Sequence, residues 1–175
     1  MTKYTIVSST NRKGAVSFLI STIYKALLKD KGIEAEIIDL ENLPADFVFS
    51  ALYENAQKND SFNSLEAMVK DSDKVVFVVP EYNGSFPGVL KAFIDGMEYP
   101  NAFKNRKAAL IGLSSGTQGS ALALSHLTDI LNYLGMHVFA QKPRLLQIEK
   151  HLKDQKLSDA YMFLLKEQVN GFVGF

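Results

Sequence analysis

A chain of 175 residues that is 47% hydrophobic is long and apolar enough to bury one sizeable core, so a single domain over 1–175 is expected, and disorder and fibrous classes are excluded. Basic and acidic side chains number 19 each, which removes a net electrostatic draw to nucleic acid or an anionic membrane. The absence of cysteine removes disulfides, thiolate metal sites and cysteine nucleophiles together and fits a reducing compartment.

The first residues, "MTKYTIVSSTNRK", hold only a short apolar stretch before polar residues resume, which predicts no signal peptide, no membrane span and a cytoplasmic location. In that setting the acceptor triplets Asn59-Asp60-Ser61 and Asn83-Gly84-Ser85 are accidental matches to a glycosylation pattern.

Short apolar runs rich in β-branched residues recur at 4–8, 35–40, 74–79, 108–114 and 137–140. Runs this continuous suit strands covered on both faces. Between the first two, Phe18, Leu19, Ile23, Leu27 and Leu28 recur at helical spacing and Gly32 offers a C-cap. The stretch 41–63 is the least regular and reads as a loop-rich excursion before a helix ending near Val69. A short helix follows Pro87; a longer one carries Leu122, Leu127, Ile130, Leu131 and Leu134 and stops at Gly135; residues 157–172 form a closing amphipathic helix. Strands alternating with helices predict right-handed βαβ units. Five strands predict the smaller α/β, doubly wound parallel sheet, order 2-1-3-4-5, with helices on both faces and ligands beyond the strand carboxyl ends.

That topology brings three loops to one edge. The first, "SSTNRKGAVS" (8–17), lacks both the dinucleotide fingerprint and the P-loop pattern. It offers the hydroxyls of Ser9, Thr10 and Ser17, the Asn11 amide, the Arg12 cation and the free N–H groups of a helix start. This inventory suits a phosphate monoester; an ordinary N-cap loop uses the same residue types.

The second loop, in "PEYNGSFPGVLKAFID" (80–95), is the least ordinary. Pro80 closes a strand, Asn83-Gly84 makes a turn and Pro87 opens a helix. A flat ring could approach the backbone at Gly84, with N–H groups directed at its polar edge; a purely structural turn is the alternative. The third, "SSGTQGSAL" (114–122), adds Gly116, Gly119 and several hydroxyls. No catalytic side-chain set stands beside them. His126, His137 and His151 lack metal-ligand spacing, so no metal is expected, and Glu81 is the sole acid of the three loops. Such a site suits a cofactor that supplies its own chemistry.

The second loop closely resembles the flavin loop of the flavodoxin-like NAD(P)H-dependent FMN reductases, a family that includes quinone, azo-dye and chromate reductases. The first and third loops and the C-terminal helix region are similar to that family as well. The resemblance implies FMN and either NADPH or NADH as cofactors, with the flavin carrying the chemistry. It implies that Thr10, Arg12, Ser17 and the Phe18 N–H surround the FMN phosphate, with Ser9, Asn11, Ala15 and Val16 alongside. It puts Pro80, Glu81, Tyr82, Asn83 and Gly84 along the isoalloxazine ring and Ser114, Ser115 and Gly116 near its other edge.

Three departures stand out. Ala15 occupies a position where the family often has a phosphate-binding serine, a loss of one hydrogen bond worth about 0.5–1.5 kcal/mol, Ser17 sits where some members have asparagine, and His126 stands where an arginine is frequent. The implied activity is ping-pong transfer of hydride to FMN and onward to a quinone, azo compound, metal oxyanion or free flavin. A one-electron carrier of flavodoxin type, or a relative without catalysis, are the alternatives; carriers are usually acidic, and this chain is not. The implied assembly is a homodimer or homotetramer, with aromatic residues of 47–62 and 99–103 as interface candidates. Arg12, Lys13, Lys104 and Arg106 are the candidate partners for an NADPH 2′-phosphate.

Overall fold

A computed structural model describes residues 2–175. Strand β1 (Tyr4–Ser8) leads through helix α1 (Val16–Lys29) to β2 (Ala35–Asp39), and a one-turn helix α2 (Phe47–Ser50) precedes α3 (Asp60–Lys70). The central strands β3 (Lys74–Pro80) and β4 (Lys107–Leu113) flank α4 (Gly88–Asp95). Then come α5 (Ala121–Tyr133), β5 (His137–Val138), β6 (Arg144–Leu145), a hairpin of β7 (Leu152–Lys153) and β8 (Lys156–Leu157), and α6 (Asp159–Gly174). The strand order is β2-β1-β3-β4-β5, every pair parallel, as the alternation of elements predicts.

Each sheet face carries its own core. Val75, Phe77 and Val79 of β3 face Leu90 and Phe93 of α4 and Leu127 and Leu131 of α5, while Val76 and Val78 face Ile20, Tyr24 and Leu28 of α1 and Leu165 of α6. Strands buried on both sides in this way explain the continuous apolar runs.

The buried stripe of α1 is not the one that apolar spacing picks. Ser17, Ile20, Ser21, Tyr24, Leu27 and Leu28 face inward, while Phe18 is 45% exposed. The serines can be buried because their hydroxyls are paired: Ser17 with Ser8 at 3.2 Å, and Ser21 donating to the Ser17 carbonyl at 2.8 Å. Leu122 likewise turns outward on α5, where Ala123 and Leu124 take the core positions.

The fifth strand is interrupted. Phe139 donates its N–H to the Ala108 carbonyl, the chain leaves the sheet, and pairing with β4 resumes at Arg144 and Leu145, opposite Gly112 and Leu113. Pro143 at the re-entry has no N–H for the ladder but accepts from Gly112 N at 2.9 Å. Gly112 is required there: a Cβ would lie 2.6 Å from the Gly119 carbonyl oxygen, so the third loop can pack directly on the strand only because position 112 has no side chain.

The aromatic residues of the excursion at 41–63 and of 99–103 divide between core and surface. Phe47 stacks on Phe62 at 5.8 Å and Phe62 meets Phe93 at 5.9 Å, all buried, and Phe103 is buried too; Phe49, Tyr53 and Tyr99 remain exposed. Among the described residues no helix is long and apolar enough to cross a membrane, and no group of His, Asp and Glu could hold a metal ion.

Candidate functional site

Parallel pairing sets Ser8 level with Val78 and Pro80 level with Leu113, so the three loops leave the sheet together at the carboxyl edge. Hydrogen bonds then tie them to one another. The Thr10 and Tyr82 hydroxyls meet at 2.8 Å, joining the first loop to the second, and Arg12 N donates back to Thr10 Oγ1 at 3.2 Å. Glu81 N donates to the Leu113 carbonyl at 3.0 Å, and the Glu81 carboxylate accepts from Ser120 N at 2.8 Å, joining the second loop to the third.

Ser120 is fully buried, with Oγ 3.0 Å and 2.8 Å from the Val79 and Leu113 carbonyls. It holds a left-handed φ of 62°, a strain that these bonds support. A carboxylate at the N-terminus of α5 also meets favourable helix potential, so Glu81 acts as a strut between loops.

Between these anchors the second loop makes a minimal hairpin. Tyr82 and Ser85 exchange backbone bonds of 2.8 and 3.0 Å around Asn83 (φ 51°) and Gly84 (φ 75°), the two positive φ values of a type I′ turn. Ser85 Oγ lies 2.9 Å from His126 Nδ1, which pins the far side of the hairpin to α5. Nothing lies within 4 Å of a Cβ built at Gly84 or at Gly116, so both backbones face open space. Such faces admit a flat ring.

The first loop leaves the start of α1 open. Ala15 is the N-cap residue, no side chain caps the helix, and no acid lies in its first turn. These N–H groups, with Asn11 and the exposed Arg12 beside them, form a donor set that suits a phosphate monoester, while Thr10 is fully buried with its hydroxyl on Tyr82. Ser9 and Ser17 point their hydroxyls inward, to the Val7 carbonyl and to Ser8, and Phe18 N donates to the Ala15 carbonyl at 3.1 Å. Pro80 ends β3 at the same edge, and Val16 begins α1.

In the third loop Ser114 Oγ receives Gly119 N at 3.0 Å, and the carbonyls of Ser114 and Gly116 accept from Ile148 and Gln147. Ser115 donates to Glu149, and this bond, then the Glu149 backbone and the nearby Arg12 cation, holds the Glu149 carboxyl below the ordinary carboxylate range. The segment after β6 thus forms one wall beside the site. Sequence reasoning missed Glu149 and Ser120. For Glu149 no local pattern announces a return to the third loop; for Ser120 the adjacent Gly119 was a usable sign of close packing.

Lys104 and Arg106 are not at this edge. They precede β4, whose seven residues separate them from the third loop by about 20 Å at ~3.3 Å per residue. Arg106 donates to the carbonyls of Val69 and Asn101 at 3.1 and 2.9 Å and to that of Lys70, closing the C-terminus of α3. Of the four candidates for a 2′-phosphate, only Arg12 and Lys13 belong to the site. Removing the strut should loosen it: Glu81→Ala is expected to cost about 1.5–3 kcal/mol in urea unfolding, and Glu81→Gln distinctly less because an acceptor for Ser120 N remains.

The chain resembles characterised proteins along most of its length. Residues 2–145 match the family model described as NADPH-dependent FMN reductase. A 2-hydroxy-1,4-benzoquinone reductase of a Burkholderia species is 30% identical over 119 residues, 66% of this chain and 63% of that protein, so the match spans less than two thirds of the relative. An NAD(P)H-dependent FMN reductase of Pseudomonas aeruginosa is 29% identical over 136 residues, 75% of this chain and 70% of that protein. The apo crystal structure of an NADH:FMN oxidoreductase superposes with a TM-score of 0.83 at 17% identity, covering 98% of this chain and 88% of that one, which shows a shared fold. FMN and a reduced nicotinamide nucleotide are the cofactors of the matched family. With the strand order and three-loop edge in place, the match over 2–145 establishes that the chain belongs to the NADPH-dependent FMN reductase family.

Proposed function

We propose that this chain is an FMN oxidoreductase that takes reducing equivalents from NADPH or NADH and delivers them, in a ping-pong scheme, to a small-molecule acceptor of quinone type. Azo compounds, metal oxyanions and free flavin are the further acceptors to screen. The observation that carries the reading is the Tyr82–Ser85 hairpin. It is anchored to the first loop through Thr10 and to α5 through Ser85 and His126, and its Asn83-Gly84 tip faces open space.

FMN, when bound, supplies the hydride and electron chemistry. The chain's residues bind and orient. Asn11, Arg12 and the first N–H groups of α1, around Ala15, Val16 and Ser17, take the phosphate, with Thr10 fixing the loop behind them through Tyr82 and Arg12 N. Pro80, Glu81, Tyr82, Asn83 and Gly84 run along the ring, and Ser114, Ser115 and Gly116 border its other edge. The struts at Glu81 and Ser120 hold the second and third loops at fixed separation, so orientation is set before the ligand arrives.

An anaerobic titration of FMN-loaded protein with NADPH and with NADH tests the reading. Bleaching of bound flavin in one fast two-electron step is expected with at least one nucleotide, followed by reoxidation with benzoquinone. Bound flavin that stays oxidised with both nucleotides would overturn the reductase reading in favour of an electron carrier. For assembly we propose a homodimer or homotetramer, with the exposed Phe49, Tyr53 and Tyr99 available to the contact. Light scattering during size exclusion should give the mass of two or four chains; a monomer at micromolar concentration contradicts this.

A further inference from the structure

The phosphate end of the site carries a negative charge that its role does not call for. Glu41, just after β2, places Oε2 at 3.1 Å from Gly14 N in the first loop. The strand register explains why it reaches: Ser8 lies opposite Asp39, so the chain leaving β2 runs beside the chain leaving β1. Asp39 Oδ1 accepts from Glu41 N at 3.3 Å and fixes the turn that aims the side chain. Among the described residues the ion pairs are Lys3–Asp71, Lys70–Glu98 and Lys91–Asp95, none of which neutralises Glu41. The cations of the same loop, Arg12 and Lys13, are exposed and make no ion pair with it.

We propose that Glu41 is a specificity-determining residue that weakens binding of the phosphorylated flavin, lowering the advantage of FMN over riboflavin. The proposal rests on the reading of residues 8–18 as the FMN phosphate site. A phosphate monoester carries between one and two negative charges at neutral pH. A carboxylate bonded to the backbone of the same loop repels it at short range, while an uncharged ring system without phosphate feels no such cost. The local structure requires only an acceptor for Gly14 N, which holds a left-handed φ of 63°, and a neutral amide oxygen would serve equally well. The carboxylate therefore adds charge where the fold needs only a hydrogen bond. With Ala15 supplying no hydroxyl to the phosphate, the site binds FMN less tightly than its backbone permits.

The test compares dissociation constants for FMN and riboflavin, measured by quenching of flavin fluorescence at low ionic strength, in the parent chain and in Glu41→Gln and Glu41→Ala. For Glu41→Gln, FMN affinity should rise about three- to tenfold, riboflavin affinity should hold within about twofold, and the FMN gain should shrink in 0.5 M salt. Glu41→Ala also loses the Gly14 bond, which loosens the loop for both flavins alike, so the ratio of FMN to riboflavin affinity should rise by a similar factor. An unchanged ratio in both variants, or equal tightening of both flavins, overturns the proposal and assigns Glu41 to loop packing. If the parent chain shows no preference for FMN over riboflavin even in high salt, the phosphate-site reading itself fails, a result separate from any effect of the variants.

Discussion

The level at which the parallel strands end governs everything above them. Pairing of Ser8 with Val78 and of Pro80 with Leu113 puts three unrelated loops within hydrogen-bond reach of each other. The bonds that follow are few and specific: Thr10 to Tyr82, Glu81 to Ser120, and the Ser120 hydroxyl to the carbonyls that end β3 and β4. A one-residue slip of β3 would turn its core face around and carry Glu81 and Tyr82 away from both partners. The same apolar burial that stabilises the sheet thereby fixes the spacing of a site made largely of backbone.

The opposite edge shows what charge does when no ligand is involved. Lys74 is buried with its ammonium group on the Phe172 and Val173 carbonyls at 2.8 and 3.0 Å, and burial, then the neighbouring Lys107, lowers its pKa. Arg106 closes α3 in the same manner. These cations serve helix carboxyl ends, where the macrodipole favours positive charge. At the site edge the arrangement is reversed: the start of α1 is open, and Arg12 is exposed beside it. Position along the strands, rather than residue type, separates structural cations from those available to a phosphate.

Much of this was legible in the sequence, for identifiable reasons. The runs 74–79 and 108–114 are long, apolar and bounded by turn formers, so β3 and β4 were readable to within a residue or two, and the alternation with helices gave the topology. The Asn83-Gly84 turn was readable because few residue pairs tolerate two positive φ values. What was hidden depends on partners distant in sequence. Ser17 and Ser21 are polar letters that become core through bonds to Ser8 and to the helix itself. Phe47 and Phe62 looked like interface aromatics because nothing local says that they stack on each other and on Phe93. The break between β5 and β6 and the return of Glu149 to Ser115 likewise rest on contacts between residues distant in sequence, Gly112 with Arg144 and Ser115 with Glu149.

The central claim is that the three loops at the carboxyl edge form one FMN site. The most direct measurement is an amide-resolved NMR titration of the isotope-labelled chain with FMN. Shifts concentrated at residues 10–18, 80–85 and 114–120, saturating together with a single dissociation constant, are the predicted result. Shifts confined to one loop, or centred on residues 70–74 and 104–107 at the opposite edge, would contradict the account.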